Sequence, residues 1–220
     1  MLDHLTDILP ELAVALGQTL TMLGIGLACA LLFGGPLGIL LFLVGDGQSL
    51  RHRPLALLLG WTVNTIRSFP FIILLVALVP VTRLVVGTSI GPLAASVPLS
   101  VAAIPYFARL VEQTLRDVPR GVIEAARSMG ASELQVVTRV LLVEARSGIV
   151  LALTVLAISF LSYSAVAGVV GGGGIGDLAI RYGYYRFETD IMIFTVAVLV
   201  AVVQVIQLCG GGLARRLDKR

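Results

Sequence analysis

Residues able to do covalent chemistry are few and poorly arranged for it. Ser159, Ser162 and Ser164 share one apolar stretch. No Gly-x-Ser-x-Gly surrounds them, and neither histidine, His4 or His52, is expected at membrane depth, so nothing supports an intramembrane serine nucleophile. Cys29 and Cys209 each stand alone in an apolar run. Without a Cys-x-x-Cys or a Cys/His cluster they read as small apolar fillers, not as metal ligands or a disulfide framework. Gly171-Gly-Gly-Gly174 invites comparison with a phosphate-cradling loop. That loop must close on Gly-Lys-Ser/Thr, whereas Ile175-Gly176-Asp177 follows here, so no ATP site is assigned. The glycines read as an outer loop or a close helix contact, with a hinge at an outer gate as the sharper alternative. No catalytic residue, metal ligand or cofactor is assigned to this chain.

What remains points to mechanical work. In Asp117–Ser132, Pro119 opens a short helix. Val122, Ala125, Ala126 and Met129 recur at spacings of three and four and give one apolar stripe. Gly130 ends the helix in a left-handed cap, and Ser132 with Gln135 forms a capping box that opens the next. So short a helix does not stand alone in water, so the stripe predicts a partner surface. An interfacial membrane helix would set Trp or Phe against Lys/Arg. This one has Arg120 and Arg127 but no aromatic, which favours a protein partner. Glu124 either counters the helix dipole or bonds to that partner.

Arg67 is the one charge deep inside an apolar stretch. It has three readings: a contact for a substrate carboxylate, a partner for a carbonyl freed by Pro70, or a cation snorkelling to the interface. With Pro70, and with Ser162, Tyr163, Ser164 and Val166 in a later stretch, it forms the set of candidate pathway or gate residues. The Ser164 hydroxyl equally fits an interhelical hydrogen bond.

The elements carrying these residues are membrane spans. The chain has 220 residues, of which 57% are hydrophobic and only 13% charged, and its mean hydropathy is +0.99. A soluble domain carries about 25% charged residues. Disorder, nucleic-acid binding and an ordinary soluble enzyme are excluded. Stretches free of Asp, Glu, Lys and Arg, with Arg67 tolerated inside the second, predict five helices at about 12–43, 55–81, 88–108, 148–170 and 191–212. No period-two alternation suggests a barrel. The first span is not expected to be a cleaved signal, because Asp3, Asp7 and Glu11 precede it. Prolines 70, 80, 92, 98 and 105 are expected to interrupt the second and third spans, which therefore read as lining a pathway.

Five spans put the termini on opposite sides of the membrane. Arg51, Arg53, Arg109, Arg116, Arg120, Arg127, Arg139, Arg146, Arg215, Arg216, Lys219 and Arg220 fall on one side, and Arg83, Arg181 and Arg186 on the other. The positive-inside rule puts the N-terminus outside, with the 109–147 link and the C-terminus in the cytoplasm.

Glu124-Ala125-Ala126, three residues, Gly130, nine residues, then Val140-x-Leu142 resembles the EAA loop of ABC importer permeases. Val140 replaces the usual Ile and Val143 the usual Pro, which predicts a smoother helix at that point. Further stretches resemble the methionine branch of that family. They are Asn64–Leu74, Val86–Gly91, Val97–Leu99, Phe107–Glu112, Tyr163–Ala165, Gly171–Asp177 and Tyr182–Tyr184, spread over most of residues 60–190.

The resemblance implies an all-α type I permease fold with a single transmembrane domain over 1–220 and a cytoplasmic coupling helix. It implies a bacterial inner-membrane homodimer, two cytoplasmic ATPase subunits that hold ATP and Mg²⁺, and an extracytoplasmic substrate-binding lipoprotein. Methionine, D- or L-, is the substrate by resemblance alone; another amino acid or small solute is the alternative within the family. Pro119, Val122, Glu124, Ala125, Ala126, Met129 and Gly130 become the ATPase-docking residues. The rival class is a stand-alone secondary transporter, which inverted repeats or paired interrupted helices would support; the sequence shows neither.

Overall fold

Apolar runs of this length satisfy their own backbone only as helices, and every described regular element is helical. The computed structural model describes residues 2–45, 50 and 52–218, with side chains from residue 8 onward. Arg51, Lys219 and Arg220 lie outside the described residues.

Helix α1 (Leu2–Cys29) runs through a π-helical turn (Ala30–Gly34) into α2 (Gly35–Val44), so the first helix starts well before residue 12. Gly34 and Gly38, one turn apart, let it lie directly on a neighbouring helix. A Cβ at Gly34 would come within 2.6 Å of the Ile104 carbonyl oxygen, and one at Gly38 within 2.5 Å of that of Ala108.

The second span, expected over 55–81, is interrupted as its prolines predict. It is three pieces: α3 (Arg53–Ser68), α4 (Phe71–Ala77) and α5 (Val79–Val86), with α3 and α4 meeting at 100°. The break falls at Phe69-Pro70, where Pro70 lacks an amide donor and holds Phe69 in an extended conformation. The expected interruption of the third span does not occur. Pro98 and Pro105 lie inside α6 (Pro92–Arg116), buried and enclosed by neighbouring helices that keep it intact.

Helices α7 (Arg120–Ser128) and α8 (Glu133–Gln135) follow, then a π-helical turn (Val136–Leu141) and α9 (Leu142–Ala167). The helix is regular at Val143, as expected; the irregularity lies just upstream in the π turn. A kinked glycine segment (Gly168–Gly172) leads to α10 (Gly174–Leu178), a further π turn (Ala179–Tyr184) and α11 (Thr189–Leu217).

Four helical units are long and apolar enough to cross a membrane: Ile8–Val44, Pro92–Arg116, Glu133–Gly172 and Thr189–Leu217. The bent pair makes a fifth. Helix α6 is the hub. Its Leu99, Ala103, Phe107, Val111 and Leu115 are buried against Met22, Ala30 and Phe42 on one side and Leu156 and Phe160 on the other.

Candidate docking helix and gate

Pro119 does not enter α7; it caps it, with an extended ψ of 129° that turns the chain sharply out of α6. The helix has two apolar edges rather than one stripe. Ile123 and Ala126 are buried with Val118 and Val136 in the protein's own core. Ala126 therefore leaves the expected outward set, and Ile123 is a residue sequence reasoning missed. Its signal was its spacing, three residues before Ala126. Val122, Ala125 and Met129 face outward at spacings of three and four, Met129 being 83% exposed. Glu124 is exposed beside them.

The C-terminal end of α7 is a complete Schellman motif. Gly130, at φ +82°, donates its amide to the Arg127 carbonyl at 2.9 Å, and Ala131 donates to the Ala126 carbonyl at 3.1 Å. The capping box is present at the next turn: Ser132 N–H donates to Gln135 Oε1 at 2.8 Å, and Gln135 N–H to Ser132 Oγ at 3.4 Å. Arg127 pairs with Glu133 across the turn at 3.3 Å. A short helix is thus stopped at both ends and held by one edge, with the other edge open.

The candidate gate residues divide between two faces. Arg67, in the last turn of α3, is exposed, and its guanidinium carbon lies 5.5 Å from the centre of the Tyr106 ring. Pro70 is exposed at the break. Ser162 and Val166, one turn apart on α9, are exposed. Ser164 points inward, buried, and donates to the Leu161 carbonyl of its own helix at 2.7 Å. Tyr163 stacks on Phe71 and meets Phe160 edge-on at 5.0 Å, while Phe160 meets Tyr106 at 6.1 Å. A continuous aromatic chain, Phe71–Tyr163–Phe160–Tyr106, thus runs from one side of the α3–α4 break back to Arg67 on the other. Phe71, Phe160 and Tyr106 were missed because no periodicity within one helix connects them.

At the opposite end of the bundle from α7, the glycine segment is a packed turn rather than an open loop. Gly171, Gly173 and Gly174 all take positive φ. The Gly174 amide donates to Gln18 Oε1 at 2.7 Å, and that of Ile175 to Thr19 Oγ1 at 2.9 Å. Further along, Tyr182 donates its hydroxyl proton to Glu11, with oxygens 2.8 and 2.9 Å away. This hydrogen bond, aided by partial burial and the Glu11 charge, holds the Tyr182 phenol above its ordinary pKa, against the smaller opposing pull of Arg186 and Arg181. Among the described residues, no three His, Cys, Asp or Glu side chains come together to hold a metal.

A bundle of spanning helices, broken at one proline, presents a capped helix outside it. The chain belongs to the family of binding-protein-dependent transport system inner membrane components, whose model matches residues 34–220. It is 49% identical over 209 residues to the probable D-methionine transport system permease protein MetI of Vibrio cholerae, covering 95% of this chain and 93% of that one. It is 38% identical over 181 residues to the methionine import system permease protein MetP of Bacillus subtilis, covering 82% of each. A chain from a solved structure of the MetNI methionine ABC transporter in inward facing conformations superimposes with a TM-score of 0.94, at 40% identity, over 97% of this chain and 99% of that one.

Proposed function

We propose that this chain is the permease subunit of an ABC importer for methionine in a bacterial inner membrane. It works as a homodimer with two cytoplasmic ATPase subunits, and an extracytoplasmic lipoprotein delivers the substrate. ATP and Mg²⁺ are held by the ATPase subunits. The N-terminus is outside and the C-terminus cytoplasmic, as the charge asymmetry supports. The observation that carries this reading is α7: it lies within the segment resembling the EAA loop, is capped at both ends, and keeps Val122, Ala125 and Met129 uncovered. Coupling requires that ATP binding favour one permease conformation over another, and a rigid helix held to α6 and the turn before α9 transmits that preference. The broken second span, with Arg67, Pro70 and Tyr163, and the Ser162/Val166 face of α9 border the pathway. Ser164 contributes to helix packing.

The test is uptake of labelled L- and D-methionine into proteoliposomes, with the ATPase and the binding protein added in turn. Uptake is expected only when both are present with ATP. Uptake by the permease alone would establish a stand-alone transporter instead.

A further inference from the structure

Glu112 is the one buried carboxylate among the described residues. A carboxylate near the end of a membrane span is costly unless it is paired, and this one has two partners. Its Oε2 accepts from Arg109 Nη1 at 2.5 Å and its Oε1 from Arg116 Nη2 at 2.7 Å. One arginine would neutralise it. The second matters for what Glu112 does to Arg109, whose other terminal nitrogen, Nη2, crosses to α3 and donates to the Gly60 carbonyl at 3.2 Å. The guanidinium packs closely on the backbone there: a Cβ at Gly60 would sit 3.4 Å from that nitrogen, at ordinary contact distance.

Helix α3 has little else to hold it. Val63 is its only buried residue. Among the described residues, the Arg109–Gly60 contact is the only side-chain hydrogen bond joining α3 to another helix. Apolar contacts allow sliding, whereas a hydrogen bond to one carbonyl fixes register. At one end α3 runs into the Phe69-Pro70 break. Arg109, for its part, sits two turns from the end of α6, which passes through Val118 and Pro119 into α7.

We propose that Glu112 and Arg109 are positioning residues that make the broken second span follow the docking helix. Glu112 aims the Arg109 guanidinium, and the guanidinium carries any displacement of the α6–α7 corner to α3 and so to the break. Arg116 neutralises the carboxylate but does not touch α3, and is dispensable for the link. The inference rests on the reading of this chain as an ATP-coupled permease.

The experiment uses the assembled transporter in proteoliposomes with its ATPase and binding protein, and compares Arg109→Gln, Glu112→Gln, Glu112→Asp and Arg116→Gln. Four quantities are read: ATPase retained on purification, basal ATP hydrolysis, stimulation of hydrolysis by loaded binding protein, and methionine taken up per ATP. Arg109→Gln and Glu112→Gln are expected to keep the ATPase and the basal rate and to lose about tenfold in uptake per ATP, within the usual range of coupling between sites. Glu112→Asp should restore part of that loss and Arg116→Gln should resemble wild type. The proposal is overturned if Arg109→Gln transports with wild-type stoichiometry, if Arg116→Gln loses as much coupling as Arg109→Gln, or if the variants lose assembly and coupling in parallel. A wild-type transporter that moves no methionine would overturn the functional reading itself, whereas a transporting wild type with unchanged variants overturns only the link.

Discussion

The rings of Phe71 and Tyr163 lie flat on one another, with centroids 4.8 Å apart and planes within 6°. Phe71 is the first residue of α4 and Tyr163 lies in the last turns of α9, so this stack clasps the far side of the proline break to the bundle. Such a pair contributes about 0.5–1.5 kcal/mol beyond its area. Tyr163→Phe keeps the stack and is expected to transport like wild type. Tyr163→Ala removes it and should lower the melting temperature of the purified complex and impair uptake. Equal melting and uptake in both variants would show that the stack holds nothing.

Gly130 takes φ +82° with open space where a Cβ would go. The cost of a side chain there is therefore backbone strain alone, about 1–2 kcal/mol for an ordinary residue. Gly130→Ala should fray the end of α7 and weaken recovery of the ATPase with the purified permease. Gly130→Asn, which tolerates the left-handed region, should lose much less. The ranking is the prediction: an Asn variant worse than Ala would point to a contact rather than to strain.

The bond from Tyr182 to Glu11 ties the segment after α10 to the start of the first span. Because Tyr182 titrates above its ordinary value in the folded protein, its contribution to stability is present below the unfolded pKa and lost as pH rises through the raised one. Glu11→Gln should bring the Tyr182 transition to lower pH, read as the tyrosinate absorbance that each protein loses when Tyr182→Phe is added. A Tyr182 transition unmoved by Glu11→Gln would show that Glu11 does not raise it.

Orientation is tested by labelling. Ser132 and Thr189 are both exposed; Ser132 immediately precedes the Glu133–Gly172 unit, and Thr189 opens α11 beyond its other end. A cysteine at Ser132 should react only with reagent applied from the cytoplasm, and one at Thr189 only from outside. Reversed labelling would invert the orientation and remove α7 from the reach of a cytoplasmic ATPase.

Much of this was legible in the sequence because it is local. Capping boxes and glycine caps depend on residues within one turn, so Ser132, Gln135 and Gly130 could be placed before any tertiary structure was known. Apolar run length located the spans for the same reason. Proline was less informative: Pro70 breaks its helix and Pro98 and Pro105 do not, and the difference is whether neighbouring helices enclose the site. The aromatic chain and the Arg109–Glu112–Arg116 cluster join residues through the fold. Only the three-and-four spacing of the charges in the cluster was visible beforehand, and its crossing to Gly60 was not. The single stripe expected on α7 failed because periodicity finds apolar edges but not which of two edges the protein covers itself.

That division of α7 makes the sharpest test of docking. Met129 stands 83% exposed on the outer edge, while Ala126 is 6% exposed in the core beside Ile123. Aspartate at either position carries the same charge but meets a different environment. At Met129 it stays in water in the free permease and becomes buried only if a partner covers it. At Ala126 it is buried from the outset without a counter-charge, which costs several kcal/mol. Met129→Asp is therefore expected to insert, purify and melt like wild type, and to lose ATPase association and methionine-stimulated hydrolysis. Ala126→Asp should fail earlier, with reduced yield and a lowered melting temperature before any question of docking arises. A conservative Met129→Leu should restore association, because a groove that accepts a methionine accepts an isosteric leucine. If Met129→Asp keeps its ATPase and its coupled uptake, the exposed edge of α7 is not where the partner binds, and the resemblance of residues 117–142 to a docking loop would not extend to its use.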